Sequence, residues 1–531
     1  MGDKEDYNWH YLTQLKMRIH AHQKVCECLL REGTLSLAQV IRFTQLSKQN
    51  VTNALLVLVQ HNCVQAFTIQ LPGGFEEEPK IMTQYMALHT NIIHHMRFPK
   101  FLAIVSKEFG EECKEIFEGL LQHGRLSFNQ IMDRHKDKHK ADITNGENST
   151  AANVLHENFN KLAQAHYIER CPAHEPFLEP PEQGAKKRTS KSKIADAPPT
   201  LEARALAAAT PMESLRFLVD VDTLSNGALE DDSKNSPATD IVGEKRKHDC
   251  LEPETDIWAT NKNKEILWRV NFEEFVRRLR QKFCVSHVTT SLDRGAGIVL
   301  NAIYEASRKE ETKVKMETTV PLTMDTILEE TMKSEEGRSL KLDGVKASLV
   351  QLGCEVSAID FDSDTHSIDL KKIIDQAQSQ EVESIVLKKY GREAYRIFRA
   401  LLKHETLYET DKISIDTFVE KKDVLKILLQ LLKDDFVQME RLGNEAQKMD
   451  ILLWKIHKRS LWAQVLDDMY HAALNLKLRL VHELEQAKDI LKGKAVGAEV
   501  VQKRKRVGEK WKVLESSLMV LDDAIMLFHD F

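Results

Sequence analysis

The chain has 531 residues, 42% of them hydrophobic and 29% charged, with a formal net charge of −6. That length favours several small domains over one, and the negative balance gives no bulk attraction to nucleic acid, so any such contact needs a local basic patch. Eight scattered cysteines without a C-x-x-C pair argue against a disulfide framework. The N-terminus lacks an apolar signal core and no run reaches the ~18 apolar residues of a membrane span, so a soluble intracellular protein is expected.

In chain order, the first segment reads as three helices and a hairpin. One helix carries Val25, Leu29 and Leu30 and stops at Gly33; "LSLAQVIRF" makes a second; Ser47 caps a third bearing Val51, Leu55, Leu58 and Val59. "CVQAFTIQL" and "KIMTQYMAL" then read as strands around the turn region "PGGFEEEP". Three helices and a two-stranded wing make a winged helix, expected over 1–96.

The second segment restates it, since "LLREGTLSLAQV" at 29–40 aligns with "LLQHGRLSFNQI" at 120–131. Its first helix is "FGEECKEIFEGLLQHGRL" (109–126), repeated as "YGREAYRIFRALLKHETL" (390–407) with identities at Ile116/Ile397, Phe117/Phe398, Leu120/Leu401, Leu121/Leu402 and Leu126/Leu407. The identities fall at helical spacing, so a buried face repeats rather than a reactive site. A winged helix is expected over 97–172, with a polar insertion near 133–149 and a closing strand "YIERC".

Residues 173–255 are Pro-rich and charged and read as a disordered linker. Its clusters Lys186-Lys187-Arg188 and Lys245-Arg246-Lys247 are candidate nuclear import signals or plain solvated charge. A third winged helix is expected over 256–375, from the helices "FEEFVRRLRQKF" and "VKASLVQL" and the strands in "EVSAIDFDSDTHSIDL"; "AIYEASRKEETKVKMETTVPLTMDTILEETMKSEEGRS" (302–340) is its divergent part. A fourth is expected over 380–457, with a third helix carrying Val424, Leu425, Leu428, Leu431 and Leu432 and strands "FVQME" and "MDILLWKI". Over 458–531, Trp511, Leu514, Leu518, Leu521, Ile525 and Phe528 step by three and four, a seam that reads as an antiparallel coiled-coil hairpin and a candidate docking surface. The fold class is therefore mostly α with small β wings: four tandem winged helices and a C-terminal hairpin.

No catalytic or cofactor constellation emerges. His135 and His139 sit four apart but among lysine and aspartate, without H-E-x-x-H. His20, His22, Cys26 and Cys28 look metal-like, yet helical periodicity spreads them over several faces. "DRGAGIVL" has Gly295 and Gly297, but Leu300 stands where a dinucleotide turn needs its last glycine. The third helices are nearly neutral, whereas a helix reading DNA should carry uncompensated cations; protein docking is the better reading for them. Candidate DNA-backbone contacts lie elsewhere: Arg97 and Lys100 in "MRFPKF", and Arg277, Arg278, Arg280 and Lys282 in "FVRRLRQK", each weighed against a solvated face. "QKRKRVGEKWK", with Lys503 to Arg506, is a further patch or the polar face of the hairpin.

Taken in order, "LVLVQHNCV", "MRFPKF", "FGEECKEIFEGLL", "YIERCP" and "YGREAYRIFRALL", with the linker and hairpin between and after them, resemble the family of largest subunits of the RNA polymerase III-specific initiation heterotrimer. The resemblance covers almost the whole chain outside the linker. It implies a non-catalytic nuclear subunit, similar to the alpha subunit of TFIIE and without cofactor or metal, seated on the polymerase clamp. The implied partners are a second winged-helix subunit, a small acidic-tailed subunit, the TFIIIB factor and promoter DNA, the last held weakly and without sequence preference. The hairpin is the implied anchor to the clamp. A proteasome-lid or cullin-type scaffold is the rival, although no helical-repeat array is visible; a free sequence-specific DNA binder would need a basic recognition helix.

Overall fold

The computed structural model describes residues 19–71, 80–139, 148–178, 200–219, 266–308, 315–360, 363–404, 406–444, 449–492 and 498–531. They divide into two compact units, one up to Phe272 and one from Glu273. Helices dominate, and the described strands form four small sheets.

In the first unit, helices α1 (Ile19–Glu32), α2 (Leu37–Thr44) and α3 (Lys48–Gln60) surround Val25, Leu29, Val40, Val51, Ala54 and Leu55. Ser47 caps α3 by accepting from the amide of Asn50. The two-residue strand β1 (Leu35–Ser36) and the wing strands β2 (Val64–Leu71) and β3 (Lys80–Ala87) make a sheet with β3 in the middle. A short helix α4 (His89–His94) and a 3₁₀ turn (His95–Arg97) lead into α5 (Phe98–His123), then β4 (Leu126–Ser127), α6 (Phe128–His139), α7 (Asn148–Gln164) and β5 (Ile168–Arg170).

Two features of this unit depart from the sequence reading. The first is the partner of β4 and β5, which is β7 (Leu267–Val270), lying between them and antiparallel to both. Residues assigned by composition to a third domain starting at 256 thus complete the second module's sheet. Their physical reason is burial in alternation: Trp268 and Val270 point inward, and the Trp268 indole meets Phe159 edge-on at 5.1 Å. Residues 171–266 are consequently an insertion in the wing of that module.

The second departure is order within 173–255. Strand β6 (Phe177–Leu178) pairs in parallel with β2, and helix α8 (Leu201–Ala209) buries Ala205 beside Phe67, Met86 and Leu178. Thr200 caps α8, and "LEARALAAA" is rich in strong helix formers, a local signal stronger than the surrounding proline and charge. Helix α9 (Glu213–Arg216) returns to β5, where Arg216 pairs with the buried Glu169 at 2.5 Å and Phe217 stacks on His166 at 3.9 Å. Both basic clusters weighed as import signals lie outside the described residues.

The second unit begins with α10 (Phe272–Ser291). Then come α11 (Arg294–Ala306), β8 (Leu322–Thr323), α12 (Met324–Lys333), α13 (Leu342–Gln351), β9 (Glu355–Asp360) and β10 (Ser363–Ser367). The stretch that looked divergent, 302–340, supplies the end of α11 and all of α12; "DRGAGIVL" is the start of α11, capped by Asp293. Helix α14 (Leu370–Tyr390) precedes α15 (Arg392–Lys403), β11 (Tyr408–Glu409), α16 (Thr410–Thr417), α17 (Lys421–Lys433), β12 (Gln438–Asn444) and β13 (Met449–Lys455). Helices α18 (Lys458–Lys492) and α19 (Ala498–His529) pack side by side. Trp462 meets Phe528 and Glu483 meets Lys510, so the two run antiparallel.

One backbone motif marks the end of the third helix in every module. The amides of Cys63, Tyr167, Cys354 and Phe436 donate to the carbonyls of Leu58, Leu162, Leu349 and Leu431, five residues back. The residues just before them, Asn62, His166, Gly353 and Asp435, all have φ between 58° and 66°. Their amides donate three residues back, to Val59, Ala163, Val350 and Leu432. This is the Schellman arrangement, which satisfies terminal carbonyls and turns the chain out of the helix into the first wing strand. The first residue of each short strand then sits opposite an aromatic ring: Leu35 against Tyr85, Leu126 against Trp268, Leu322 against His366 and Tyr408 against Trp454.

The repeated phrase has a second structural content, a break. Gly110 interrupts α5 at φ 84° and ψ −175°, and Gly391 separates α14 from α15 at φ 89° and ψ −174°. That region is open to glycine alone in practice. The preceding aromatic latches each break. Phe109 meets Tyr167 edge-on at 5.7 Å, and Tyr390 meets Phe436 at 5.6 Å. In the second module Tyr167 donates its hydroxyl to Glu108 at 2.7 Å; in the fourth, Tyr390 donates to Asp434.

Candidate docking interface

Each of the six cations selected from sequence has a definite place. Arg97 ends the 3₁₀ turn and is fully buried, with Nη1 3.2 Å from His94 Nδ1 and the rings of Phe101 and Phe272 against His94. A guanidinium inside a core cannot reach a phosphate, so Arg97 is removed as a DNA contact. Lys100, in the first turn of α5, is half-buried.

The "FVRRLRQK" arginines are also corrected. Glu274 is buried and takes both Arg277 and Arg278, the latter at 3.0 Å, while Arg278 also reaches Gln281 at 3.2 Å and Glu305 at 3.7 Å. Arg280 is buried and donates to the carbonyl of Met316 at 2.6 Å. A charge network of this kind holds α10 in place, since buried charges persist only when paired. Lys282 alone of the four is exposed.

The hairpin seam faces inward. Leu518 and Ile525 are buried, and Trp511, Leu514, Leu521 and Phe528 are partly so. The end of α19 also enters the third module's core: Leu527 packs with Ile303 and Leu349, Phe531 contacts Phe283 at 5.6 Å, and Gln378 donates to the Leu527 carbonyl at 2.9 Å. The heptad residues are therefore occupied within the chain, and a docking surface on the hairpin must use its outer faces.

The outward faces of the third helices are where apolar surface is open. Leu56 on α3 is 64% exposed, Val350 on α13 is 79% exposed, and Leu429 on α17 is also open. Leu56 and Leu429 occupy one position, two residues before the motif leucine. On α3 no basic stripe replaces Leu56, since Lys48 is the only charged residue there, and α13 balances Lys346 with Asp343; α17 differs, carrying exposed Lys422, Lys426 and Lys433 on the side of Leu429. The third module's wing adds Glu355 and Asp364, which would repel a phosphate backbone. Sequence reasoning missed Phe418, 92% exposed at φ 55° in the turn between α16 and α17 beside exposed Ile415. A phenylalanine in a left-handed conformation is itself the signal, but it lies in the backbone and not in composition.

Sequence reasoning also missed Arg125, buried where three segments meet. Its Nε donates to Asn62 Oδ1 at 2.9 Å and its Nη1 lies 3.3 Å from His174 Nδ1, while Gln60 donates to the carbonyls of His123 and Arg125. Burial pulls its pKa down from the usual arginine range. Nearby, Cys63 Sγ lies 3.3 Å from His95 Nε2, and burial pushes the Cys63 thiol up to about 12, far from a reactive thiolate. Burial lowers the His61 pKa, with His22 adding to it. Cys26 and Cys28 are half-buried thiols pushed up by burial, while the side chains of His20 and His139 lie outside the described residues. Among the described residues, no group of three or more His, Cys, Asp or Glu side chains converges as a metal site, and no helix is long and apolar enough to cross a membrane.

Comparison with known proteins follows the same modules. A family model described as RNA polymerase III subunit RPC82 matches residues 157–439, more than half of the chain; one described as its helix-turn-helix domain matches residues 21–68. The DNA-directed RNA polymerase III subunit RPC3 of Danio rerio is 23% identical over 478 residues, covering 87% of this chain and 81% of its own. The Homo sapiens RPC3 is 22% identical over 477 residues, with 88% and 82% covered. That of Dictyostelium discoideum is 21% identical, with 88% and 90% covered.

Proposed function

Since the chain belongs to the RNA polymerase III subunit RPC82 family, we propose that it is a non-catalytic, nuclear subunit of DNA-directed RNA polymerase III that docks on the clamp through winged helices used as protein-binding blocks. In this reading it sits with a second winged-helix subunit and a small acidic-tailed subunit, meets TFIIIB, and supports promoter opening at genes for small structured RNAs. The observation that carries the reading is the nearly neutral, apolar character of the exposed third-helix faces of the first and third modules, with Leu56 and Val350 where a DNA reader would present cations. Apolar residues on an exposed helix face are kept when another surface covers them. Lys100 and Lys282 remain as weak contacts to DNA backbone.

Affinity purification of the tagged full chain from nuclei, with partners identified by mass spectrometry, tests this. The polymerase III core should be recovered with two smaller companions in near-equal amounts. Leu56→Asp together with Leu429→Asp should deplete that recovery while leaving circular dichroism unchanged. Recovery of proteasome-lid or ubiquitin-ligase components in place of the polymerase would overturn the assignment.

A further inference from the structure

A dense run of cations lies on the N-terminal half of α19. Between Gln502 and Lys512 the chain places Lys503, Arg504, Lys505, Arg506, Lys510 and Lys512 against a single carboxylate, Glu509. The rest of the helix reverses sign, with Glu515, Asp522 and Asp523 and no lysine or arginine. Much of the surface charge elsewhere is locally paired, as in Lys333 with Glu330, Lys371 with Glu317 and Lys455 with Glu440. Opposite the basic stretch, Glu483 on α18 is already taken by Lys510 at 3.3 Å and by Arg479 at 2.6 Å. Lys503, Lys505 and Arg506 are exposed, and among the described residues no carboxylate pairs with them.

This placement does nothing for the helix itself. Cations crowded this closely along one helix repel one another, a cost that stability alone would not select. Geometry narrows the partner further. At 100° per residue, Arg506 lies between Lys503 and Lys505, about 60° from the first and about 100° from the second, so the three cations spread over an arc of about 160° and share no single narrow face. A folded acidic surface meets one face of a helix, whereas a phosphate backbone crossing the helix meets both flanks.

We infer that the tip of the C-terminal hairpin is a nucleic-acid backbone site, with Lys503, Lys505 and Arg506 contacting phosphates without reading sequence. The inference rests on the polymerase assignment for its biological setting, and it adds α19 to Lys100 and Lys282 as places where nucleic-acid backbone is met. Three phosphate contacts set a measurable salt dependence, because each releases a condensed counterion.

The test is fluorescence anisotropy of the full chain with a mixed-sequence oligonucleotide, single-stranded and duplex, across a salt series. The triple variant K503E/K505E/R506E should weaken binding at low salt at least tenfold. It should also flatten the slope of log affinity against log salt by about 2 for the single strand and about 2.7 for the duplex. The neutral variant K503Q/K505Q/R506Q should show most of the same loss with helix content unchanged, which excludes unfolding as the cause. An unchanged slope would overturn the inference. So would equal loss in K346E/K372E/K388E, a control on exposed lysines of α13 and α14, since only net charge would then matter. Poly-glutamate binding at the tip without oligonucleotide binding would make the partner an acidic protein segment instead. Co-purification of the triple variant with the polymerase separates the two claims: it is expected to persist. Loss of co-purification with oligonucleotide binding retained would make the tip a subunit contact.

Discussion

The second and fourth modules state the same phrase and use it differently. Both bury the isoleucine–phenylalanine–leucine face, with Ile116, Phe117 and Leu120 matched by Ile397, Phe398 and Leu401, and both break the preceding helix at a glycine. They part at the end of the phrase. Sequence alignment pairs Leu126 with Leu407, but the strand that follows begins at Leu126 in one module and at Tyr408 in the other. The fourth module carries one extra residue there, so Arg125 and not Leu126 is the counterpart of Leu407. Arg125 is buried against Asn62 and His174; Leu407 is 38% exposed. A repeated sequence thus transmits a core and a hinge, while the surface beside them is free to become an internal joint in one copy and an open face in the other.

The sharpest check on the shared part is the core. Phe117→Ala and Phe398→Ala should each cost about 3–5 kcal/mol, read as lost hydrogen-exchange protection in their own module; a cost in one copy only would break the equivalence. Next comes the divergent position. Arg125→Ala should cost about 1.5–3 kcal/mol, since it removes hydrogen bonds to a buried cation, and should expose residues 173–178 and 201–209 to exchange; Leu407→Ala should stay within about 0.5 kcal/mol. Gly110→Ala and Gly391→Ala should each cost about 1–3 kcal/mol from backbone strain. Nothing lies within 4 Å of an added Cβ at either site, so equal losses by thermal melting would isolate conformation from crowding.

The smallest expected effect concerns pH at the residue that ends the third helix, His61 in the first module and Asp434 in the fourth. His61 has its pKa lowered by burial and by His22, so the folded chain binds its proton less tightly than the unfolded one. Its contribution is whole above the ordinary histidine value of about 6.5 and is lost as pH falls through the lowered folded value. Asp434 has its pKa lowered by hydrogen bonds from Tyr390 and Lys389, so its contribution is present above the ordinary carboxylate range and lost only in stronger acid. Exchange measured from pH 7 downward should loosen residues 48–63 before residues 421–436, and the reverse order would refute the assignment.

Much of this architecture is legible in sequence because the third helices, their caps and their wings are local patterns. The Schellman ends are legible too, once "LVQHNC", "LAQAHY", "LVQLGC" and "LLKDDF" are set side by side. What local pattern cannot carry is partnership across distance. Strand β7 is four residues long, and only its pairing with β4 and β5 reveals its module. The arginines of α10 cluster in sequence like a phosphate site, although Glu274, three and four residues before Arg277 and Arg278, was the visible sign of pairing on a helix. The seam of α19 was read correctly as apolar and wrongly as available, since periodicity reports burial without saying by what.

The wing insertion has a consequence for the order of synthesis. The second module's sheet lacks its central strand until residues 267–270 have been made, long after β5 at 168–170. At ~5–20 residues per second a ribosome takes about 5–20 s to cover that gap. Throughout that interval β4 and β5 have no strand between them, and the Trp268 place beside Phe159 stays open. A nascent chain in that condition offers unpaired strand edges to its neighbours, so this module should be the one most dependent on chaperones while the protein is being born.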